Sequence, residues 1–211
     1  MTVEQLPLRT ALGRILASDL HAPADVPNHT NSAMDGYALR AADLEPGSPL
    51  TVIGTAWAGK PHPGAVANGE CVRIMTGAVM PEHADTVVMQ EQVALLDDKI
   101  RVAPGQKTGQ HVRHAGEDLA AGELALKAGQ RLAPAALGLI ASLGIAEVPV
   151  FRRPRVAFLS NGDELRSIGQ PLNPGEVYDS NRYTLHGLLQ RAGMDLVDLG
   201  VVPDDRAQIR S

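Results

Sequence analysis

The stretch Arg-Val-Ala-Phe-Leu-Ser at residues 155–160 is an apolar run of the length of one buried strand, and residues 196–202 form a second. Between the two runs, the segment Asp179-Ser180-Asn181 offers N-cap side chains for a helix that runs through about Ala192, and Gly193 suits its end. A strand, a helix and a strand in this order predict a βαβ unit with a parallel sheet.

Only two strands of this parallel sheet fall within the chain. Parallel sheets are normally covered on both faces, which two strands cannot achieve. We therefore expect residues 151–211 to be a truncated α/β domain and the chain to be the front part of a longer protein.

Upstream of this unit, from about Tyr37 to Val102, short β-type runs alternate with turns rich in Gly and Pro. Residues 50–54, 71–75 and 86–89 are such runs. Their regular spacing predicts a small all-β domain, either a sandwich or a partly open barrel.

A second helix is predicted over residues 132–144, because Pro134 suits its first turn and Gly144 its C-terminal end. The overall prediction is a multidomain α+β chain. An elongated linker domain comprises residues 1–30 and 119–150, the small β domain inserted into it comprises 31–118, and the α/β domain begins at 151.

Composition excludes several classes of protein. The chain has 211 residues and a formal net charge of −5, and no cluster of basic and aromatic residues, which argues against a nucleic-acid partner. No apolar run reaches the roughly 18–20 residues that span a bilayer, so no membrane partner is expected. The N-terminus has no basic and apolar leader pattern, which indicates a cytoplasmic protein. Cys71 is the single cysteine, and we interpret it as a buried apolar residue.

Two polar residues of the β region are candidates for chemistry. Asp35 belongs to the stretch Asn-Ser-Ala-Met-Asp-Gly-Tyr at residues 31–37, where the Asp-Gly pair predicts a tight turn with Gly36 at positive φ. Thr76 ends a β run before a glycine and could bind an oxyanion. The alternative for Asp35 is an ordinary turn Asp, and the alternative for Thr76 is a Thr that caps its own backbone.

Further acids lie where strands are predicted to end. Glu164 follows the first strand of the βαβ unit and Asp204 follows the second, and ligands of parallel sheets bind beyond this edge. Hard oxygen ligands without thiolates suit Mg²⁺ better than zinc or copper. Solvated surface acids remain the alternative. His111 and His114 lack a third ligand for a metal site.

Taken together, these segments resemble the molybdopterin molybdenumtransferases, the MoeA-type enzymes that are related to the gephyrin E domain. The segments that carry the resemblance are residues 31–37, 73–78 (Arg-Ile-Met-Thr-Gly-Ala), 87–91 (Val-Val-Met-Gln-Glu), 113 with 116–118 (Arg, then Gly-Glu-Asp), 142–144 (Ser-Leu-Gly), 160–165 (Ser-Asn-Gly-Asp-Glu-Leu) and 178–181 (Tyr-Asp-Ser-Asn). They occur in the order that the family has.

The resemblance implies an enzyme of molybdenum cofactor biosynthesis. It would insert molybdate into adenylylated molybdopterin and release AMP with the help of Mg²⁺. The catalytic residues implied by motif position are Asp35, Thr76, Asp118 and Glu164, with Thr76 contacting an oxyanion or phosphate, and Asp35 and Asp118 orienting water or pterin. The residues implied to bind the pterin nucleotide are Ser32, Arg113, Asp179 and Asn181, and those implied to contact the metal are Glu164 and Asp204.

The resemblance also implies partners. The family works as a homodimer, with its cleft between the β domain of one subunit and the α/β domain of the other, and a molybdopterin adenylyltransferase is a further expected partner. Later family segments fall beyond residue 211, so we expect activity only when they are supplied. A non-catalytic pterin-binding or scaffold module of the gephyrin type is the alternative.

Overall fold

The computed structural model describes residues 2–45 and 47–210, and the chain divides into two compact units. The first, the β unit, is Asp19–Leu126. The second, the α/β unit, combines Met1–Ser18 with Lys127–Ser211. The division into three domains that the sequence suggests stays a prediction.

The described residues form short strands and few helices. In chain order the strands are β1 (Val3–Pro7), β2 (Leu20–His21), β3 (Asn31–Ser32), β4 (Gly36–Leu39), β5 (Pro49–Ala56), β6 (Glu70–Ile74), β7 (Thr86–Met89), β8 (Val93–Leu96), β9 (Lys99–Val102), β10 (Val112–Arg113), β11 (Leu124–Leu126), β12 (Glu147–Phe151), β13 (Arg155–Asn161), β14 (Leu165–Arg166), β15 (Val177–Tyr178) and β16 (Asp195–Val202). The helices are α1 (Pro134–Ser142), α2 (Ser180–Arg191) and α3 (Arg206–Arg210). No described helix has the length and apolar content needed to cross a membrane.

A six-stranded sheet in the order β7-β4-β6-β5-β9-β8 forms the centre of the β unit. Only the β5–β6 pair is parallel. Successive residues of β4 alternate between two buried clusters, since Ala38 packs with Val72 and Val87 while Leu39 packs with Cys71. Both faces of the sheet are therefore covered, and mostly by small aliphatic side chains, as the scarcity of aromatic residues requires.

Gly36 corrects one expectation of the sequence. It is not a positive-φ turn residue but the first residue of β4, paired with Ile74 on one side and Met89 on the other. A Cβ atom at this position would lie 2.1 Å from the carbonyl oxygen of Val88. Glycine is needed here because another backbone approaches closely, and not because of turn geometry.

The α/β unit contains the predicted βαβ arrangement. Strands β13 and β16 are parallel, and α2 connects them. The predicted helix ends are confirmed, because the Asp179 side chain accepts a hydrogen bond from the Arg182 amide and Gly193 has a φ of 79°. In the same unit, β1 pairs with β12, and α1 begins with Pro134 in its first turn.

Candidate functional site

The first group of predicted site residues lies in the β unit around Asp35 and Thr76. One carboxylate oxygen of Asp35 accepts hydrogen bonds from both the backbone N–H and the hydroxyl of Thr76, each at 2.7 Å. These two bonds, the backbone one first, lower the pKa of Asp35 below its ordinary value. Asp35 is therefore an exposed and ionised carboxylate in a fixed position.

The same two hydrogen bonds indicate which group Thr76 contacts. Its backbone N–H and hydroxyl both point to Asp35, so neither is directed at a ligand in this arrangement. Thr76 does not cap its own backbone either, which was one of the two interpretations of the sequence. It acts on Asp35.

Backbone hydrogen bonds hold Ser32 close to Asp35 and Thr76. Its carbonyl accepts from the Gly77 amide at 2.8 Å, and its own amide donates to Ala78 at 3.0 Å. The Ser32 hydroxyl is buried and donates to the carbonyl of Met34 at 2.6 Å, closing the turn that leads to Asp35. The structure thus brings Ser32, Asp35 and Thr76 together.

Arg113 forms the second part of this group through strand β10, where it pairs with Asn31 of β3. Its Nε donates to Glu117 at 2.5 Å and its Nη2 donates to Asp118 at 2.7 Å. Both ion pairs raise the pKa of Arg113. The pKa of Glu117 is lowered first by its hydrogen bond from Arg113 and then by the one from the His114 amide. Asp118 is therefore paired with Arg113 in the structure.

Glu117 is a further member of this cluster, which its sequence pattern alone did not mark as a site residue. It lies four residues after Arg113 and also accepts from the backbone of His114 at 2.8 Å. Its place next to Asp118, in the segment 116–118 that carries the family resemblance, was a signal that could have identified it.

The second group lies in the α/β unit, at the carboxyl ends of β13 and β16. The Asn161 side chain donates to Asp204 at 2.7 Å, and the Asp204 amide donates to Asp163 at 3.2 Å. The carboxylate of Glu164 lies against Gly162, where a Cβ would be only 2.7 Å from its Oε2. Glu164 and Asp204 therefore belong to adjoining loops at one sheet edge, as predicted, and Asn161 and Asp163 are additional members.

This edge group offers oxygen donors suitable for Mg²⁺, but not a complete cage. Among the described residues, no three His, Cys, Asp or Glu side chains converge as a metal site. Mg²⁺ commonly uses one or two carboxylates and completes its shell with water and substrate phosphates. The exposed carboxylates of Glu164 and Asp204 fit that kind of binding.

Asp179 and Asn181 occupy different environments at the start of α2. The Asp179 side chain is 1% exposed and forms an ion pair with Arg182 at 3.1 Å, in addition to capping the helix. Arg182 also contacts Asp198, whose pKa is lowered chiefly by the Gly200 amide. Asn181 is exposed in the first turn of the helix. Asp179 is thus held inside the unit, whereas Asn181 faces solvent.

Comparison with known proteins identifies the family. The family model described as "MoeA N-terminal region (domain I and II)" matches residues 1–144, and "Probable molybdopterin binding domain" matches residues 157–211. The chain therefore belongs to the MoeA family.

Named relatives agree with this family. The chain is 45% identical over 206 residues to a molybdopterin molybdenumtransferase of Haemophilus influenzae. The aligned region covers 97% of this chain and 51% of that protein. It is 40% identical to a molybdopterin molybdenumtransferase 2 of Mycobacterium tuberculosis, covering 96% and 51% of the two chains. The chain spans about half the length of the curated relatives it matches.

A solved structure has the same fold. The crystal structure of the molybdopterin biosynthesis moeA protein from Pyrococcus horikoshii OT3 superposes with a TM-score of 0.90 at 35% identity. The match covers 99% of this chain and 57% of the other. The mixed α/β architecture is therefore confirmed.

Proposed function

We propose that this chain supplies part of a molybdopterin molybdenumtransferase, which inserts molybdate into adenylylated molybdopterin and releases AMP. Membership of the MoeA family and the names of its relatives support this proposal. In the proposed reaction the dithiolene sulfurs of the pterin bind molybdenum, and water cleaves the phosphoanhydride to yield AMP.

The observation that carries the proposal is the group at the carboxyl edge of β13 and β16. This edge is where parallel α/β sheets bind their ligands, and here it presents Asn161, Asp204 and Glu164 together. The segment also falls within the match to a molybdopterin-binding domain, which supports a pterin ligand.

Mg²⁺ is part of the proposal, with Glu164 and Asp204 as its protein ligands. When bound, the ion would offset the charge of phosphate and molybdate oxygens near these carboxylates. Asn161 holds the Asp204 carboxylate by a hydrogen bond of 2.7 Å, which limits the orientations that Asp204 can adopt.

In the β unit, we assign to Asp35 the orientation of water or pterin, and to Thr76 the positioning of Asp35. Asp35 is ionised at neutral pH, so its carboxylate can accept a hydrogen bond from water or pterin, while its lowered pKa makes it a weak proton acceptor. Arg113 would contact an anionic part of the pterin nucleotide, while Glu117 and Asp118 orient its guanidinium.

A homodimer, a molybdopterin adenylyltransferase as partner and a cytoplasmic location complete the proposal. The homodimer and the adenylyltransferase partner rest on the family resemblance. Ser32, Asp179 and Asn181 remain proposed contacts of the pterin nucleotide, although the buried Asp179 would act by holding the start of α2.

The test is molybdate-dependent AMP release from adenylylated molybdopterin in the presence of Mg²⁺. The enzyme would be a chimera in which this chain replaces the matched half of the Haemophilus influenzae relative, compared with the 211-residue chain alone. We expect the chimera to turn over, and Asp35→Asn and Glu164→Gln each to reduce its rate by about a hundredfold.

Matched controls are available in both units. Asp98→Asn changes an exposed acid in the turn between β8 and β9, and Asp195→Asn changes an exposed acid at the amino end of β16. Both should retain full activity. Pterin binding without turnover by a folded chimera would support a binding module instead, and full activity of Asp35→Asn and Glu164→Gln would remove these residues from the site.

A further inference from the structure

A cavity of about 540 Å³ lies within the α/β unit and shares no lining residue with the candidate site. Its wall comes from residues 12–15 after β1, from Gly129 and Arg131 before α1, from the end of β12 and the link to β13, and from the turn after α2. The volume falls in the range of about 300–1,000 Å³ that is typical of small-molecule sites.

The charge of the cavity is strongly one-sided. Four arginines line it, and none of the Asp and Glu residues that the structure describes does. Arg14 is buried, forms an ion pair with Glu4 and donates to the Phe151 carbonyl at 2.8 Å. The other three arginines have no ion pair with any described carboxylate; they are Arg131, Arg152 and Arg153. Guanidinium groups that face one cleft attract and orient anions.

The remainder of the wall is largely apolar and accessible. The side chains of Leu12 and Ile15 are 51% and 37% exposed although they are large aliphatic groups. Phe151 and Met194 add an aromatic ring and a flexible thioether to the same wall. A ligand with an apolar body would remove this surface from water.

We propose that this cavity binds a small organic anion, with one phosphate, sulfonate or carboxylate group on a flat apolar body. The anionic group binds the guanidinium groups of Arg131 and Arg153. The apolar body contacts Ile15 and Met194. No part of the proposed transferase reaction requires this site.

The chain's methionines provide a direct test with anilinonaphthalene sulfonate as the probe. Apart from Met1, Met194 is the only methionine of the α/β unit, whereas Met34, Met75, Met80 and Met89 lie in the β unit. With carbon-13 labelled methionine methyl groups, we expect a saturable shift of the Met194 resonance alone. An unmoved Met194 signal, or equal shifts at the β-unit methionines, would overturn the proposal.

Variants then separate charge from simple hydrophobic adsorption. The double variant Arg131→Gln with Arg153→Gln should weaken binding at least about fivefold, whereas Arg9→Gln, an exposed arginine outside the cavity, should have no effect. For the unmodified chain, raising the salt concentration from about 50 to about 500 mM should also weaken binding several-fold. Affinity that is unchanged in the double variant and insensitive to salt would contradict an anion site.

Discussion

A methyl group at Gly36 would meet the Val88 carbonyl oxygen at 2.1 Å, inside a strand that is paired on both sides. Because the Val88 carbonyl is part of the hydrogen-bonded sheet, it cannot move aside without breaking strand pairing. We predict that Gly36→Ala lowers the free energy of unfolding by about 3 kcal/mol. Urea unfolding followed by circular dichroism measures the effect.

The matched control for this prediction is Gly138→Ala within α1, where an added methyl meets nothing within 4 Å. That change should be neutral or should stabilise the chain by up to about 1 kcal/mol, because alanine favours helices. If the two substitutions changed the free energy of unfolding to a similar extent, the close contact between residue 36 and the Val88 carbonyl would not be the cause of the destabilisation.

The link between Asp35 and Thr76 predicts a measurable pH effect. Thr76→Val removes the hydroxyl hydrogen bond but keeps the stronger backbone one, so the pKa of Asp35 should rise while staying below its ordinary value. A depressed carboxyl pKa stabilises the fold above the ordinary pKa of about 3.9, and this stabilisation is lost as the pH falls through the lowered value. The variant should therefore lose that stability at a higher pH.

Carboxyl carbon-13 titration by NMR measures this shift directly. Thr108→Val, an exposed threonine elsewhere in the β unit, should leave the Asp35 titration unchanged. An Asp35 titration that is the same in Thr76→Val as in the unmodified chain would mean that the hydroxyl contributes nothing.

At the scale of the element, α2 depends on Asp179 for both its cap and a buried ion pair. Asp179→Ala should cost about 2 kcal/mol, since Arg182 still retains Asp198 as a partner. Asp179→Asn preserves capping and should cost about half as much. Ser180→Ala, at the exposed next position, should change the free energy of unfolding by less than about 0.5 kcal/mol. Equal costs for Asp179→Asn and Asp179→Ala would assign the effect to charge alone.

At the scale of the whole molecule, the β unit is one continuous stretch whose ends pair with each other. Strand β2 near its start is antiparallel to β11 at its end, so excision at these ends breaks no strand pairing of the unit. We predict that residues 19–126 fold when produced alone. Thiol labelling tests this through Cys71, which is fully buried with its pKa raised to about 12 by burial.

Cys71 should resist a thiol reagent at pH 8 both in the folded fragment and in the whole chain, and should react fully in urea. Rapid labelling of the fragment without denaturant, together with poorly dispersed amide resonances, would show that the β unit needs the remainder of the chain.

The elements that local chemistry specifies were predictable. Asp179 and Gly193 mark the ends of α2, Pro134 and Gly144 mark those of α1, and the apolar runs at β13 and β16 are long enough to identify. The Asp-Gly pair misled, because a glycine can serve either a positive φ or a close approach, and the sequence around Gly36 does not say which.

Local patterns and chain order were enough to specify the parallel unit, the burial of Cys71 and the placement of Glu164 and Asp204 at one sheet edge. The tertiary structure decided the pairings of side chains: Asp35 with Thr76, Asn161 with Asp204, and the burial of Asp179 against Arg182. The cavity lined by arginines likewise exists only in the folded chain, because its wall combines segments that are far apart in the sequence. Such contacts depend on the packing of distant segments, for which a local pattern carries no signal.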